Sequence, residues 1–298
     1  MLDYAALSAL AAVIREGSFE RAAQALFVTP SAVSQRIRSL EERVGSALVI
    51  RGQPCRATDT GRRLCQHVDR VRLLELELQS ALPALAPEGL TRVALPIAVN
   101  ADSLATWFAP AVAAYAADAP VLVELLVDDQ DHTGAWLRSG AVLAAVTGTA
   151  RPPAGFNSRP LGAMRYVAAA SPEYLARYFR GGVGAGSLAQ APSLVFNTKD
   201  DLQARWVRRL CHRDVELPRH SVPSLHAFVA AALAGMGWGL HPQELIASQL
   251  SDGSLVELVP QTPLDVPLYW QHARAAASLI EGLSRELVAA ATRALRPP

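Results

Sequence analysis

Lysine is almost missing from this chain: the 28 basic residues are arginines except for Lys199. Basic and acidic residues nearly cancel, for a formal net charge of +1, and no basic tail or acidic run occurs. A polycation that coats nucleic acid along its whole length is therefore excluded, and any attraction for a polyanion must be local. The three cysteines, Cys55, Cys65 and Cys211, are odd in number and lack metal-ligand spacing. That excludes a disulfide framework and fits reduced thiols in a cytosol. The longest apolar run, Leu104 to Ala117, is interrupted by Pro110. It falls short of the roughly 18–20 residues that a membrane-spanning helix needs. The opening MLDYAAL has no cationic stretch ahead of an apolar one, so no signal peptide is expected.

Catalytic signatures are missing too. There is no G-x-S-x-G elbow, Walker A loop, G-x-G-x-x-G or H-E-x-x-H. The seven histidines are scattered, and Asp131–His132 is a pair without further ligands at useful spacing. Gly235–Met236–Gly237–Trp238–Gly239 follows a helical pattern rather than a strand, so it reads as a helix-to-strand turn and not a phosphate cradle. The expectation is a cytoplasmic protein that is not an enzyme, with no cofactor, no metal and no membrane contact. Its 298 residues, 51% of them hydrophobic, suffice for two or three domains with sizeable cores.

What is present is concentrated in residues 18–44, SFERAAQALFVTPSAVSQRIRSLEERV. Val33, Ile37, Leu40 and Val44 recur at i, i+4, i+7 and i+11, the stripe of an amphipathic helix. Thr29 suits the N-cap and Pro30 the first helical position, where its missing N–H costs nothing. Gly45 follows the last apolar position, where helices often stop. The opposite face carries Ser31, Ser34, Gln35 and Arg38, with Arg36 at its flank. Short hydrogen bonders followed by cations suit a recognition helix, whose first turns reach base edges and whose cations hold phosphates. The preceding helix, Phe19 to Leu26, carries Ala22 and Ala23, small enough for two helices to cross closely. Ala47–Ile50, the polar turn 51–56 and Ala57–Thr58 then read as a wing, with Arg51 and Arg56 placed to meet phosphates or a minor groove. From residue 34 to 63 there are seven arginines against three acids, so the positive charge is placed where this surface needs it.

Ala22, Ala23, Leu26, Thr29, Ser31, Ser34, Ile37, Leu40 and Glu41 together resemble the N-terminal signature of LysR-type transcriptional regulators. The segments ERAAQALFVTPSAVSQRI, AVNADSLATWF and PLYWQ are similar to the subgroup that controls lysine and arginine exporters, and the resemblance runs nearly end to end. It implies a winged helix-turn-helix over 1–58, a linker helix and hinge over 59–90, and an effector domain over 91–298. That domain resembles periplasmic binding proteins: two α/β lobes, the first about 91–162 with 269–298, the second about 163–268. The chain is expected to cross between lobes near Leu161–Met164 and again near Pro267–Trp270, with a ligand between them. Leu64, Val68, Val71, Leu74, Leu78 and Leu82 form a continuous helical seam, broken after it by Pro83, Pro87 and Gly89. A stripe of this kind packs either on its own domain or on a second copy, and the resemblance implies the second, giving a homodimer or homotetramer.

From residue 91 onward, strand-like runs at Arg92–Val99, Val121–Val127, Val142–Thr147, Tyr166–Ala170, Ser193–Phe196, Leu255–Leu258 and Leu268–Trp270 alternate with helical patterns near 103–117, 131–139, 201–212, 224–235 and 276–295. Such alternation predicts parallel sheets covered by helices on both faces. No internal repeat is present.

Candidate effector residues cluster at strand ends. Asn100, Asp102 and Ser103 follow the first strand where a helix begins, a setting that suits an α-carboxylate, with Asp102 for the α-ammonium. Asp128 and Asp129 end the second strand, a seat for a guanidinium or ε-ammonium. Thr147 closes the third. Asn197, Asp200 and Ser224 come from the second lobe, and Trp107 and Trp270 offer aromatic wall. Carboxylates at such positions also cap helices, and tryptophans also fill cores. Lys199 beside Asp200 counts against a basic ligand on that side. The expected partners are double-stranded operator DNA, RNA polymerase, and lysine or arginine. An architectural DNA-binding role without effector control, or a different metabolite, remains open at this point.

Overall fold

A computed structural model describes residues 3–81, 93–119, 121–127, 136–137 and 141–297. Among these residues no helix is long and apolar enough to cross a membrane. The N-terminal unit opens with α1 (Tyr4–Glu16), capped by Asp3, whose carboxylate accepts from the Ala5 and Ala6 N–H groups. Next come α2 (Phe19–Ala25) and α3 (Pro30–Val44). Ala6, Leu7, Leu10 and Val13 of α1 pack against Ala22, Ala23, Val33, Ile37 and Leu40. Three residues of the expected α3 stripe are thus buried, whereas Val44, in the last turn, is 38% exposed. The wing is narrower than the sequence suggests: β1 (Val49–Ile50) and β2 (Arg56–Ala57) pair antiparallel over two residues each. The Cys55 N–H donates to the Gly17 carbonyl at 2.9 Å, which seats the wing on the end of α1.

α4 (Asp59–Ala81) is a single helix of 23 residues. Its first turns are held to this unit, since Leu64, Cys65 and Val68 pack on the N-terminal core. Farther along, Leu74 and Leu78 are 54% and 51% exposed. Leu82 of the expected seam lies outside the described residues.

Among the described residues, the C-terminal region is built on a seven-stranded mixed sheet. β3 (Val93–Val99) leads directly into α5 (101–118), whose second turn, Leu104–Phe108, is π-helical. β4 (Val121–Val127) and β5 (Ala144–Thr147) pair parallel with β3 on either side. β6 (Phe156–Ala170) then runs for 15 residues. Helices α6 (Pro172–Tyr178) and α7 (Ala185–Leu188), strand β7 (Ser193–Val195), helix α8 (Leu202–Cys211), strand β8 (Arg219–Ser221) and helix α9 (Leu225–Leu233) follow. β9 (Gly239–Pro242), α10 (Ala247–Asp252), β10 (Val256–Glu257), β11 (Leu264–Ala273) and α11 (Glu281–Ala294) complete the chain. The sheet order is β10-β6-β11-β5-β3-β4, with β9 also on β6.

The expectation of parallel sheets therefore holds only in part. β3, β4 and β5 are parallel, as are β7 and β8, but β6 pairs antiparallel with β9, β10 and β11. The reason is topological. A chain that crosses from one lobe to the other and returns beside its own path must run antiparallel on the way back. β6 and β11 form that ribbon from Leu264↔Tyr166 to Ala273↔Phe156, with a register shift at Leu268/Tyr269. Arg165 and Asp265 face each other on it in a bidentate ion pair, both contacts 2.8 Å. The Arg165 guanidinium holds the Asp265 carboxyl below the usual carboxylate range. Gly162 sits in the ribbon at φ 127°, and a Cβ there would press on the Arg296 backbone. The Ala163 and Arg296 backbones exchange two hydrogen bonds of 2.9 Å, so the chain's last residues are docked onto the crossing.

One buried group ties stability to pH. His241 on β9 is fully enclosed, packs edge-on against Phe228 at 5.1 Å, and neither ring nitrogen has a hydrogen-bond partner among the described residues. Burial pushes its pKa down to about 4. The unfolded chain takes up this proton near pH 6.5, and the folded chain does so only near 4. Stability is therefore complete above about pH 6.5 and is lost as pH falls toward 4, by roughly 3 kcal/mol. Urea melts at pH 7 and 4.5 should show this loss, and His241→Leu should shrink it. Equal losses in both proteins would remove His241 from the account.

Candidate DNA-reading surface and effector cleft

α3 is set by its ends. The Thr29 hydroxyl accepts from the Ala32 N–H at 3.3 Å, and Gly45 at φ 73° stops the helix while its N–H donates to the Glu41 carbonyl at 2.8 Å. With Val33, Ile37 and Leu40 turned inward, Thr29, Pro30, Ser31, Gln35 and Arg38 are exposed, and Ser34 and Arg36 are half-buried. Neither Arg36 nor Arg38 has an ion-pair partner among the described residues. Ser31 and Thr29 share a hydroxyl–hydroxyl bond of 3.0 Å, which steadies the helix's first turn. The structure thus presents these side chains as one polar, cationic face.

Two residues that position this surface were not picked out as such in the sequence. Glu41, seen there only as part of a family signature, accepts from the Leu48 and Val49 N–H groups at 2.7 and 3.4 Å. It locks the wing onto α3 through a charge-assisted bond. Phe19 lies beneath Arg51, whose guanidinium carbon is 5.5 Å from the ring centroid. Such stacking limits where the cation can swing. Arg51 and Arg56 flank the wing loop, both exposed.

In the C-terminal region, the parallel register Ala98↔Ala145 carries Asn100 alongside Thr147 at the C-terminal strand ends. Asn100 is the N-cap of α5 but makes no side-chain capping bond. It is 1% exposed, and neither its Oδ1 nor its Nδ2 finds a partner among the described residues. The Ser103 Oγ and Trp107 Nε1 are in the same condition. An unsatisfied buried polar group costs about 1–3 kcal/mol, so a run of them at one helix start points to a ligand or water that completes it. Asp102, between them, accepts a 2.6 Å hydrogen bond from the Tyr166 hydroxyl. Tyr166 belongs to β6 and pairs with Pro242 and Leu264, so this bond ties the first turn of α5 to the crossing strand.

Several sequence candidates are occupied elsewhere. Asp200 spends its carboxylate on the Phe196 N–H (2.8 Å) and the Leu202 N–H (3.1 Å), capping the loop into α8. Asn197 accepts from the Lys199 N–H at 2.7 Å, and exposed Ser224 caps α9 through the Ala227 N–H at 3.4 Å. These bonds hold local turns and the start of α9. Trp270 is fully buried and donates to the Ser284 hydroxyl at 2.9 Å, so it is core rather than cavity wall. Thr147 is fully buried, and its hydroxyl accepts from the Thr149 N–H at 3.2 Å. Trp107 meets Phe108 edge-on at 5.7 Å. Asp128, Asp129 and Asp131–His132 lie outside the described residues. A recess of about 410 Å³ opens between Thr106, β6 and the end of α11, walled by Arg165, Glu244, Arg293 and Arg296. Asn100, Ser103 and Thr147 are not among its lining residues.

Comparison with known proteins adds to this picture. Residues 4–62 match the family described as bacterial regulatory helix-turn-helix protein, lysR family, and residues 88–292 match the LysR substrate binding domain. The chain is 48% identical over 297 residues to the HTH-type transcriptional regulator ArgP of Pseudomonas fluorescens, covering 100% of this chain and 99% of that one. The crystal structure of ArgP from Mycobacterium tuberculosis is similar with a TM-score of 0.86 at 43% identity, each chain covered completely. Full-length LysG from Corynebacterium glutamicum with bound effector Arg gives a TM-score of 0.76 at 38% identity, covering 99% of this chain and 100% of that chain.

Proposed function

This chain belongs to the LysR family of DNA-binding transcriptional regulators, and from that premise we propose that it senses a basic amino acid, arginine or lysine, and controls an amino-acid exporter gene. The observation that carries the reading is the set of buried, unsatisfied polar atoms of Asn100 and Ser103 at the start of α5. The effector's α-carboxylate takes hydrogen bonds there, where the helix N-terminus also favours an anion. Its α-ammonium pairs with Asp102, and its basic side chain extends toward the end of β4, where the sequence supplies Asp128 and Asp129. Arginine bound to the similar LysG of Corynebacterium glutamicum supports this effector class.

Occupancy shifts the lobes about the β6–β11 ribbon, and Tyr166 is the contact through which α5 passes that shift on. α4 pairs with the same helix of a second copy through the side of Leu74 and Leu78, giving a homodimer or homotetramer. The paired α3 helices then meet two half-sites of an operator differently, and RNA polymerase reads the difference in the bacterial cytoplasm. Isothermal calorimetry against the twenty amino acids tests the effector. Heat is expected with arginine or lysine. Heat only with a non-basic amino acid would assign another effector, and none with any would favour an architectural role.

A further inference from the structure

The turn ahead of α3 carries a side chain that folding alone does not explain. α2 ends with the Phe27 N–H donating to the Gln24 carbonyl at 3.2 Å and the Val28 N–H donating to the Ala23 carbonyl at 3.0 Å. This paired closure places one residue in the left-handed region, and that residue is Phe27 at φ 54°. Glycine is the usual occupant of such a position and asparagine the common alternative, because a Cβ crowds the backbone there. Val28 beside it packs on the core, whereas the Phe27 ring is 96% exposed. Other large exposed apolar side chains among the described residues are only 38–55% exposed, so each is about half covered by its own chain. Backbone strain opposes folding and a fully hydrated ring contributes nothing to it, yet both are kept at one position.

That position is two residues before the Thr29 cap and four before Ser31, and it adjoins the polar, cationic face of α3. We propose that Phe27 is a DNA contact: its ring lies against the apolar edge of an operator nucleotide, a deoxyribose or a thymine methyl, beside the N-terminus of α3. The proposal rests on the reading that α3 faces DNA, and adds to it a contact of a different kind. Arginines bind phosphates and release counterions, so their contribution falls with salt. A phenyl ring against a sugar or a methyl group releases none, and contributes equally at all salt concentrations.

The test uses the full-length chain and a duplex that the wild-type protein selects from a random-sequence library. Phe27→Asn and Phe27→Gly suit the left-handed backbone and remove the ring. Their melting temperatures should equal or exceed that of the wild type, while affinity for the selected duplex falls about 5- to 20-fold with the salt slope unchanged. Arg38→Ala, measured alongside, should weaken binding with a shallower slope. If Arg38→Ala weakens binding and Phe27→Asn leaves it within twofold, the ring covers something other than DNA and this proposal fails alone. If neither variant changes binding, the assignment of α3 to DNA fails with it. A clear fall in the melting temperature of both Phe27 variants would make the ring a folding element and overturn the proposal as well.

Discussion

The double variant Arg36→Ala, Arg38→Ala should bind its operator about 100-fold more weakly at 0.15 M salt and still fold, taking each arginine–phosphate pair at about tenfold. Arg38 stands on the face of α3 turned away from Val33, Ile37 and Leu40, Arg36 stands at its half-buried flank, and neither is tied to an acid among the described residues. Their removal therefore leaves the α1–α2–α3 core intact, and the melting temperature should stay within a few degrees. The slope of log affinity against log salt should become shallower by about 0.9 for each phosphate no longer neutralised. Gln35→Ala should behave differently. It removes a hydrogen bonder from the same face and no charge, so the slope stays and discrimination among sequences falls, by about 1–3 kcal/mol if Gln35 reads a base. Unchanged affinity and slope in the double arginine variant would place DNA elsewhere on the molecule.

Asp102→Asn should lose arginine affinity by about 100-fold or more, since removing one member of a desolvated charge pair costs roughly 2–5 kcal/mol. Asparagine keeps an oxygen for the Tyr166 hydroxyl, now 2.6 Å from Asp102, so the helix start and the β6 contact persist while the charge goes. Ligand that binds only the folded form raises the melting temperature by mass action. The wild type should therefore melt higher in millimolar arginine, and the variant should not. Tyr166→Phe gives the complementary result: the charge stays, the bond to the crossing strand goes, and arginine still binds while its effect on DNA weakens. An Asp102→Asn protein that responds to arginine like the wild type would remove the ammonium from that carboxylate.

Much of the DNA-reading unit was legible because several local signals agree there. The stripe, the Thr29–Pro30 start and the Gly45 stop each specify the same helix, and α3 runs from Pro30 to Val44 as they require. The C-terminal region was legible where strands are apolar and parallel, as in β3 and β4. It was obscure where pairing rather than composition makes the strand. β6 begins at Phe156, ten residues before the apolar run, because Asn157, Ser158, Arg159 and Pro160 are matched one by one with β11. β8 is three exposed polar residues, Arg219–Ser221, held as a strand only by β7. Asn197, Asp200 and Ser224 illustrate a further limit: residue type and strand-end position do not reveal whether a carboxylate, amide or hydroxyl oxygen accepts from nearby backbone N–H groups. Phe27 is the opposite case. It stands between the apolar Leu26 and Val28, and the closure of α2 turns it outward.

The central claim is that one bound amino acid changes how this chain holds DNA. The direct measurement is a double titration: affinity for the selected duplex with and without saturating arginine, and affinity for arginine with and without duplex. The account predicts that both affinities change by the same factor, about fivefold or more, because a coupling of roughly 1–3 kcal/mol acts equally in each direction. Arginine that binds tightly while leaving duplex affinity and the footprint unchanged would contradict it.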